Sequence, residues 1–103
     1  MSPCFCRWGD RAAQTHHCVY AQHCRNEGAS TKDERNLVRV GLRCHAAHHN
    51  RTKPYHLSIL PDSVFEFAEE VMGPARAFNY LRRYYAGEDR RLAALATKEG
   101  TTA

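Results

Sequence analysis

The sequence predicts an α+β fold, with short strands and one histidine-bearing helix first and two or three helices after them. Three observations carry this expectation. Short β-branched or extended stretches, separated by polar loops, run up to Pro61. Beyond Pro61 the apolar residues recur at helical spacing between glycine and proline stops. All seven histidines and all five cysteines lie within residues 1–60, so the two parts differ in chemistry as well as in pattern. At 103 residues the chain makes one domain with a modest core, small enough to gain from a bound metal or a partner. The expected organisation is a histidine-rich unit over 1–60, a helical extension packed on it over 61–99, and a disordered tail at 100–103.

In the first part, "THHCVY" (15–20) reads as extended and "RNEGASTKDERN" (25–36) as a polar loop. "LVRV" (37–40) is β-branched enough for a short strand. Gly41 permits a turn, and residues 43–50 read as a short helix that Pro54 keeps from extending. Extended structure is expected again at "YHLSIL" (55–60). In "DSVFEFAEEVMG", Ser63 and Glu66 have capping-box spacing, Val64, Phe67, Ala68 and Val71 form an apolar stripe, and Gly73 marks the stop. "PARAFNYLRRYYAG" opens on Pro74, aligns Phe78, Leu81 and Tyr85 on one face and ends at Gly87. "EDRRLAALA" (88–96) adds a third helix, and "KEGTTA" is expected to be disordered. Tyr80, Tyr84 and Tyr85 read as core, in preference to a platform for stacked bases.

Charge is unevenly spread. Residues 1–60 hold nine Lys/Arg against four Asp/Glu, whereas residues 61–103 hold six against seven. The positive field coincides with the histidines, and a polyanion is the natural partner of such a surface. The opening "MSPCFCRWGDRAAQ" has no apolar core and no long apolar run follows, so neither secretion nor membrane spanning is expected, and the cytoplasm is the expected compartment. An odd number of cysteines, five, argues against a closed disulfide framework. Thiols near histidines then read as metal ligands.

The segment "LRCHAAHHN" (42–50) sets His45 and His49 one helical turn apart, so both imidazoles can reach a single ion, with His48 as a poorer alternative. A third ligand must come from elsewhere, and His16 and His17 are the other paired histidines. Successive side chains of a strand point to opposite faces. One of the two can therefore face a metal while its neighbour takes another role.

The order His16-His17, then Asn36-Leu-Val, then Cys44-His45-x-x-x-His49 resembles the HNH endonucleases, and the nuclease colicins among them. The nine-residue interval from Asn36 to His45 matches that family's spacing. The resemblance covers residues 4–50, and the helical tail is similar to small phage-encoded HNH proteins. It implies a ββα-metal HNH core of short strands plus a metal-binding helix, followed by the helical extension. It implies a nuclease that nicks or cuts DNA with one divalent metal, in the bacterial host cell if phage-encoded, with phage packaging proteins as candidate partners. Carried over by position, His16, His45 and His49 are the metal ligands, His17 is the general base, and Asn36 fixes the loop that orients it. A neutral imidazole suits the proton transfer, and three protein ligands leave positions open for a phosphate. Three imidazoles suit zinc, nickel, cobalt or manganese better than magnesium. Arg39, Arg43, Arg51 and Lys53 flank the site as candidate DNA-binding residues.

Relatives with two Cys-x-x-Cys knuckles bind a second, structural zinc. Here Gly41 stands where one of those cysteines would be, and the other knuckle is compressed to Cys4-Phe-Cys6. Cys18, Cys24, Cys44 and His23 are the remaining donors for an altered site. The competing reading is a non-catalytic, zinc-dependent nucleic-acid-binding module with an HNH-like fold. Such a site is closed by four protein ligands and has no use for the second histidine beside His16.

Overall fold

The β-branched run "LVRV" forms strand β2 (Leu37–Val40), which pairs antiparallel with β1 (Gln14–His17) in a two-stranded sheet. The structure, a computed structural model, describes residues 12–101. Gln14 lies opposite Val40, Thr15 opposite Arg39, His16 opposite Val38 and His17 opposite Leu37. Alternation puts Gln14, His16, Val38 and Val40 on one face and Thr15, His17, Leu37 and Arg39 on the other. His16 and Val40 are buried, so the first face is the inward one.

After His17 the chain leaves the extended conformation expected up to residue 20. It bends at Cys18 and Val19 into a short helix, α1 (Ala21–Asn26), anchored by buried Cys24. A 3₁₀ turn, Glu34–Asn36, capped by the Asp33 side chain, leads into β2. Helix α2 (Leu42–His49) follows Gly41 and lies close to its expected place. The extended segment expected at 55–60 does not form. Tyr55 and Leu57 pair with the single residue Ala86, and Leu57–Ile59 then closes a 3₁₀ turn. Among the described residues no longer strand runs alongside to extend that pairing.

Three helices complete the chain: α3 (Asp62–Met72), α4 (Pro74–Tyr84) and α5 (Arg90–Thr101). Ser63 does not cap α3. Pro61 holds the N-cap position, and the Ser63 hydroxyl instead donates to the Arg35 carbonyl at 3.0 Å, docking α3 on the 3₁₀ turn before β2. Gly73 (φ 83) separates α3 from α4, as its place in the sequence suggests. Helix α4 stops short of Gly87 because Tyr85 turns to extended backbone (φ −122, ψ 155). Its side chain is buried. Helix α5 continues through residues 98–101, where disorder was expected; residues 102–103 lie outside the described ones, as do Cys4 and Cys6.

One core joins both parts of the chain. Val19, Val40, Cys44, Tyr55 and Leu57 pack in the same cluster as Val64, Phe67, Ala68, Leu81, Leu92 and Leu95. Among the described residues no helix is long and apolar enough to cross a membrane.

Gly73 and Gly87 both take left-handed backbone, at φ 83 and φ 81. A Cβ added at Gly73 meets open space, whereas one added at Gly87 runs into the His56 imidazole. Urea unfolding should show Gly73→Ala costing about 1–2 kcal/mol from backbone strain alone. Gly87→Ala should cost more, with the excess removed in a Gly87→Ala, His56→Ala double variant. Equal costs for the two single variants would mean that His56 swings aside freely.

Candidate metal centre

His16 enters the site from the inward face of β1, and His45 and His49 from successive turns of α2. His16 Nδ1 lies 3.1 Å from His45 Nε2, and His49 Nε2 lies 2.9 Å from that same atom. Ligand atoms of these three residues all fall within 4.8 Å of one another. With Zn–N bonds of about 2.0–2.1 Å, imidazole nitrogens around a tetrahedral ion stand about 3.3 Å apart. The three could hold a metal ion.

Neighbouring groups fix which nitrogen of His16 and of His45 is bare. The Tyr85 hydroxyl gives its one proton to the Cys18 carbonyl at 2.5 Å, so its oxygen accepts from His16 Nε2–H at 2.9 Å. His16 Nδ1 is left with a lone pair. The Gln14 amide oxygen accepts from His45 Nδ1–H at 2.8 Å, which bares His45 Nε2. Two lone pairs therefore face each other across 3.1 Å, and this repels unless a cation lies between them. A proton is a poor choice. Burial, then the charges of His48, His45, His49 and His17, hold His16 down to about 2. Burial is also the leading cause lowering His45, ahead of His49 and His17, and it lowers His49. Rings whose neutral form is favoured, two of them held in set tautomers by outer partners, suit a divalent metal, so the donor set fits one.

His48, one position before the candidate ligand His49, is excluded from the set. Its Nδ1 accepts from the Tyr55 backbone N–H at 2.9 Å, and its Nε2–H donates to the Tyr20 hydroxyl at 2.8 Å. Its ring stacks on Tyr55 at 4.5 Å. Both nitrogens are occupied in the core. Tyr80 and Tyr85 are buried, as core residues should be, and the Tyr80 oxygen accepts from the Tyr20 N–H at 2.8 Å.

His17 faces the other side of β1 and is half-buried. Its Nε2–H donates to the Thr31 carbonyl at 3.0 Å, so Nδ1 keeps its lone pair. Buried Asn36 pins the chain two residues further on. Its Oδ1 accepts from Val19 N–H at 2.6 Å, its Nδ2 donates to the Val19 carbonyl at 2.8 Å, and its own carbonyl accepts from Cys18 N–H at 2.9 Å. The amide side chain thus extends the β1–β2 ladder past its last residue pair.

Arg39, Arg43, Arg51 and Lys53 are exposed. Arg39 sits on the outward face of the sheet and donates to Thr15 Oγ1 at 2.9 Å. Arg51 lies beyond the far end of α2 with its guanidinium 5.2 Å from the centre of the Tyr84 ring. Cys18, Cys24 and Cys44 are buried. Among the described residues, the cluster with metal-binding spacing is the histidine group, and these cysteines do not extend it. Sequence reasoning missed Gln14, Tyr20, Tyr55 and Tyr85. Gln14 was open to discovery, because strand period places it on the face of His16. Tyr85 carries no local signal.

Comparison with protein-family models, with curated proteins and with solved structures finds no match. The functional reading therefore rests on the chemistry of the site.

Tyr85→Phe removes the acceptor of His16 and the donor to Cys18. The unfolding free energy should fall by about 1–3 kcal/mol. Metal affinity, measured by calorimetry, should fall by about 10–100-fold as His16 loses its outer partner. Unchanged affinity would mean that packing alone orients the ring.

Acid should destabilise the metal-free protein in a defined window. Burial, followed by the charges of His49, His45 and Arg51, holds His48 down to about 4 against an ordinary value of 6.5. The unfolded chain then binds the proton more readily than the folded one. The stabilisation is fully present above about pH 6.5 and is lost as pH falls towards 4, with His16 adding to the loss at lower pH. Urea midpoints across this range, with chelator present, should show His48→Gln losing on the order of 3 kcal/mol less stability than the unaltered protein. Parallel pH profiles would refute this role for His48.

Proposed function

We propose that the chain is a metal-dependent endonuclease that hydrolyses DNA phosphodiester bonds, built on an HNH-type ββα core formed by β1, β2 and α2. One observation carries the reading: ring nitrogens of His16, His45 and His49 lie within 4.8 Å of one another, while the adjacent His17 faces the other side of β1 with a bare Nδ1 of its own. The split matches two needs of phosphodiester hydrolysis, a fixed positive charge and a base for water.

His17 Nδ1 takes the proton from the attacking water. The Thr31 carbonyl fixes the required tautomer and steadies the imidazolium that results. Asn36, through its two bonds to Val19, keeps the turn after β1 in place and with it the direction of His17. A divalent ion on the three imidazoles would supply charge to the phosphoryl oxygens and the leaving 3′-oxygen. Zinc, nickel, cobalt or manganese suits this set better than magnesium. Arg39, Arg43, Arg51 and Lys53 provide positive charge for the DNA backbone. A non-catalytic zinc module would need a fourth protein ligand, and His48 has both nitrogens committed elsewhere.

Nicking of supercoiled plasmid at saturating metal tests the roles. His17→Ala should leave metal affinity nearly unchanged and slow nicking by about 10²–10⁴-fold. His45→Ala should lose metal affinity together with nicking. Undiminished nicking by His17→Ala would overturn the mechanism.

A further inference from the structure

We infer that the cleft beside His49 is a phosphate-binding subsite for the strand being cut, and that α4 supplies one of its two arginines. The inference rests on the endonuclease reading and adds to it a contribution from the helical extension.

The cleft has a volume of about 120 Å³ and is lined chiefly by Tyr20, His48, His49, Arg51, Arg83 and Tyr84. That is well below the roughly 300–1,000 Å³ of a drug-sized ligand site, and it suits a compact anion. Because His49 is part of its wall, an anion seated there adjoins the histidine centre. Two guanidinium groups and, among the described residues, no carboxylate line it.

Both arginines rest on one ring. The Arg51 guanidinium lies 5.2 Å and that of Arg83 5.5 Å from the centre of Tyr84. Arg51 Nη1 also donates to the Arg83 carbonyl at 3.4 Å. Two like charges gathered on one aromatic ring repel, and an anion between them removes the repulsion. A third donor is available. Tyr20 oxygen accepts from His48 Nε2–H, so the phenolic proton is left for an acceptor in the cleft.

The backbone of Arg51 points the same way. It has φ 65, a left-handed conformation that a glycine just past a helix end adopts without cost. Residues with such backbone are uncommon outside glycine and gather at ligand clamps. A second cleft, of about 310 Å³, shares Arg83 and Tyr84 and continues along α4 past Arg76 and Asn79. The strand has a route away from the centre over the helical extension.

Fluorescence anisotropy of a labelled DNA duplex, read across a salt series with chelator present, tests the subsite without cleavage. Arg51→Gln and Arg83→Gln should each reduce the log–log salt slope of affinity by about 0.9, as for one lost phosphate contact. Arg83→Lys should restore most of that slope. Arg82→Gln removes the same charge one residue away, but Arg82 lies over Phe78 and lines a different cleft, so its slope should barely change. Metal affinity by calorimetry should be the same in Arg82→Gln, Arg83→Gln and the unaltered protein. Equal slope losses for Arg82→Gln and Arg83→Gln, with plasmid nicking by the unaltered protein intact, would overturn the subsite alone. Absence of both duplex binding and nicking in the unaltered protein would overturn the subsite and the endonuclease reading together.

Discussion

The hydroxyl of Tyr85 holds the centre together. It accepts from His16 and donates to the Cys18 carbonyl, so one buried atom sets the direction of a candidate ligand and the bend of the chain after β1. The hydroxyl has a single proton to give, and giving it to Cys18 dictates the tautomer of His16. Tyr85 reaches this position because α4 ends at Tyr84 and the next residue turns to extended backbone. Ala86 then pairs with Tyr55 and Leu57, which ties the segment after α2 to the same point. Sheet, α2 and α4 thus meet around one oxygen.

The histidines divide into kinds by what surrounds them and not by what they are. His16 and His48 are equally buried, yet one turns a bare nitrogen to the cluster and the other spends both on Tyr20 and Tyr55. His16 and His17 are neighbours in sequence and lie on opposite faces of a strand, one turned towards α2 and the other tied to the Thr31 carbonyl. Burial lowers the pKa of His16, His45, His48 and His49, which favours the neutral rings and lessens the mutual repulsion that so many charged imidazoles would bring. A dense histidine cluster is tolerable only on those terms.

Much of this was legible in the sequence wherever the determinant was local. β-branching in "LVRV" specified a strand, and the one-turn interval between His45 and His49 specified a shared helical face. Gly73 and Pro74 punctuated two helices where a turn requires them. Departures arose where tertiary contacts decide. "YHLSIL" has strand-like composition but finds only Ala86 to pair with. Ser63 has the spacing of a cap, but the carbonyl of Arg35, 28 residues away, takes its hydroxyl. His48 could not be told from a ligand by spacing, because its partners are a backbone N–H and a phenol brought up by the fold. The three imidazoles could be named from sequence; of what aims them, Gln14 could have followed from strand period and Tyr85 could not.

The link between His16 and Tyr85 spans 69 positions. During synthesis the strand carrying His16 and the helix carrying His45 and His49 leave the ribosome well before Tyr85 does. A nascent chain that ends near residue 60 already holds every histidine, yet His16 has no hydroxyl to set its tautomer, and Ala86 is not there to fasten Tyr55 and Leu57. Contacts between distant parts of a chain form late because the intervening loop must first be closed. The arrangement of the three imidazoles therefore waits for the segment that carries Tyr85 and Ala86 to join the sheet and α2.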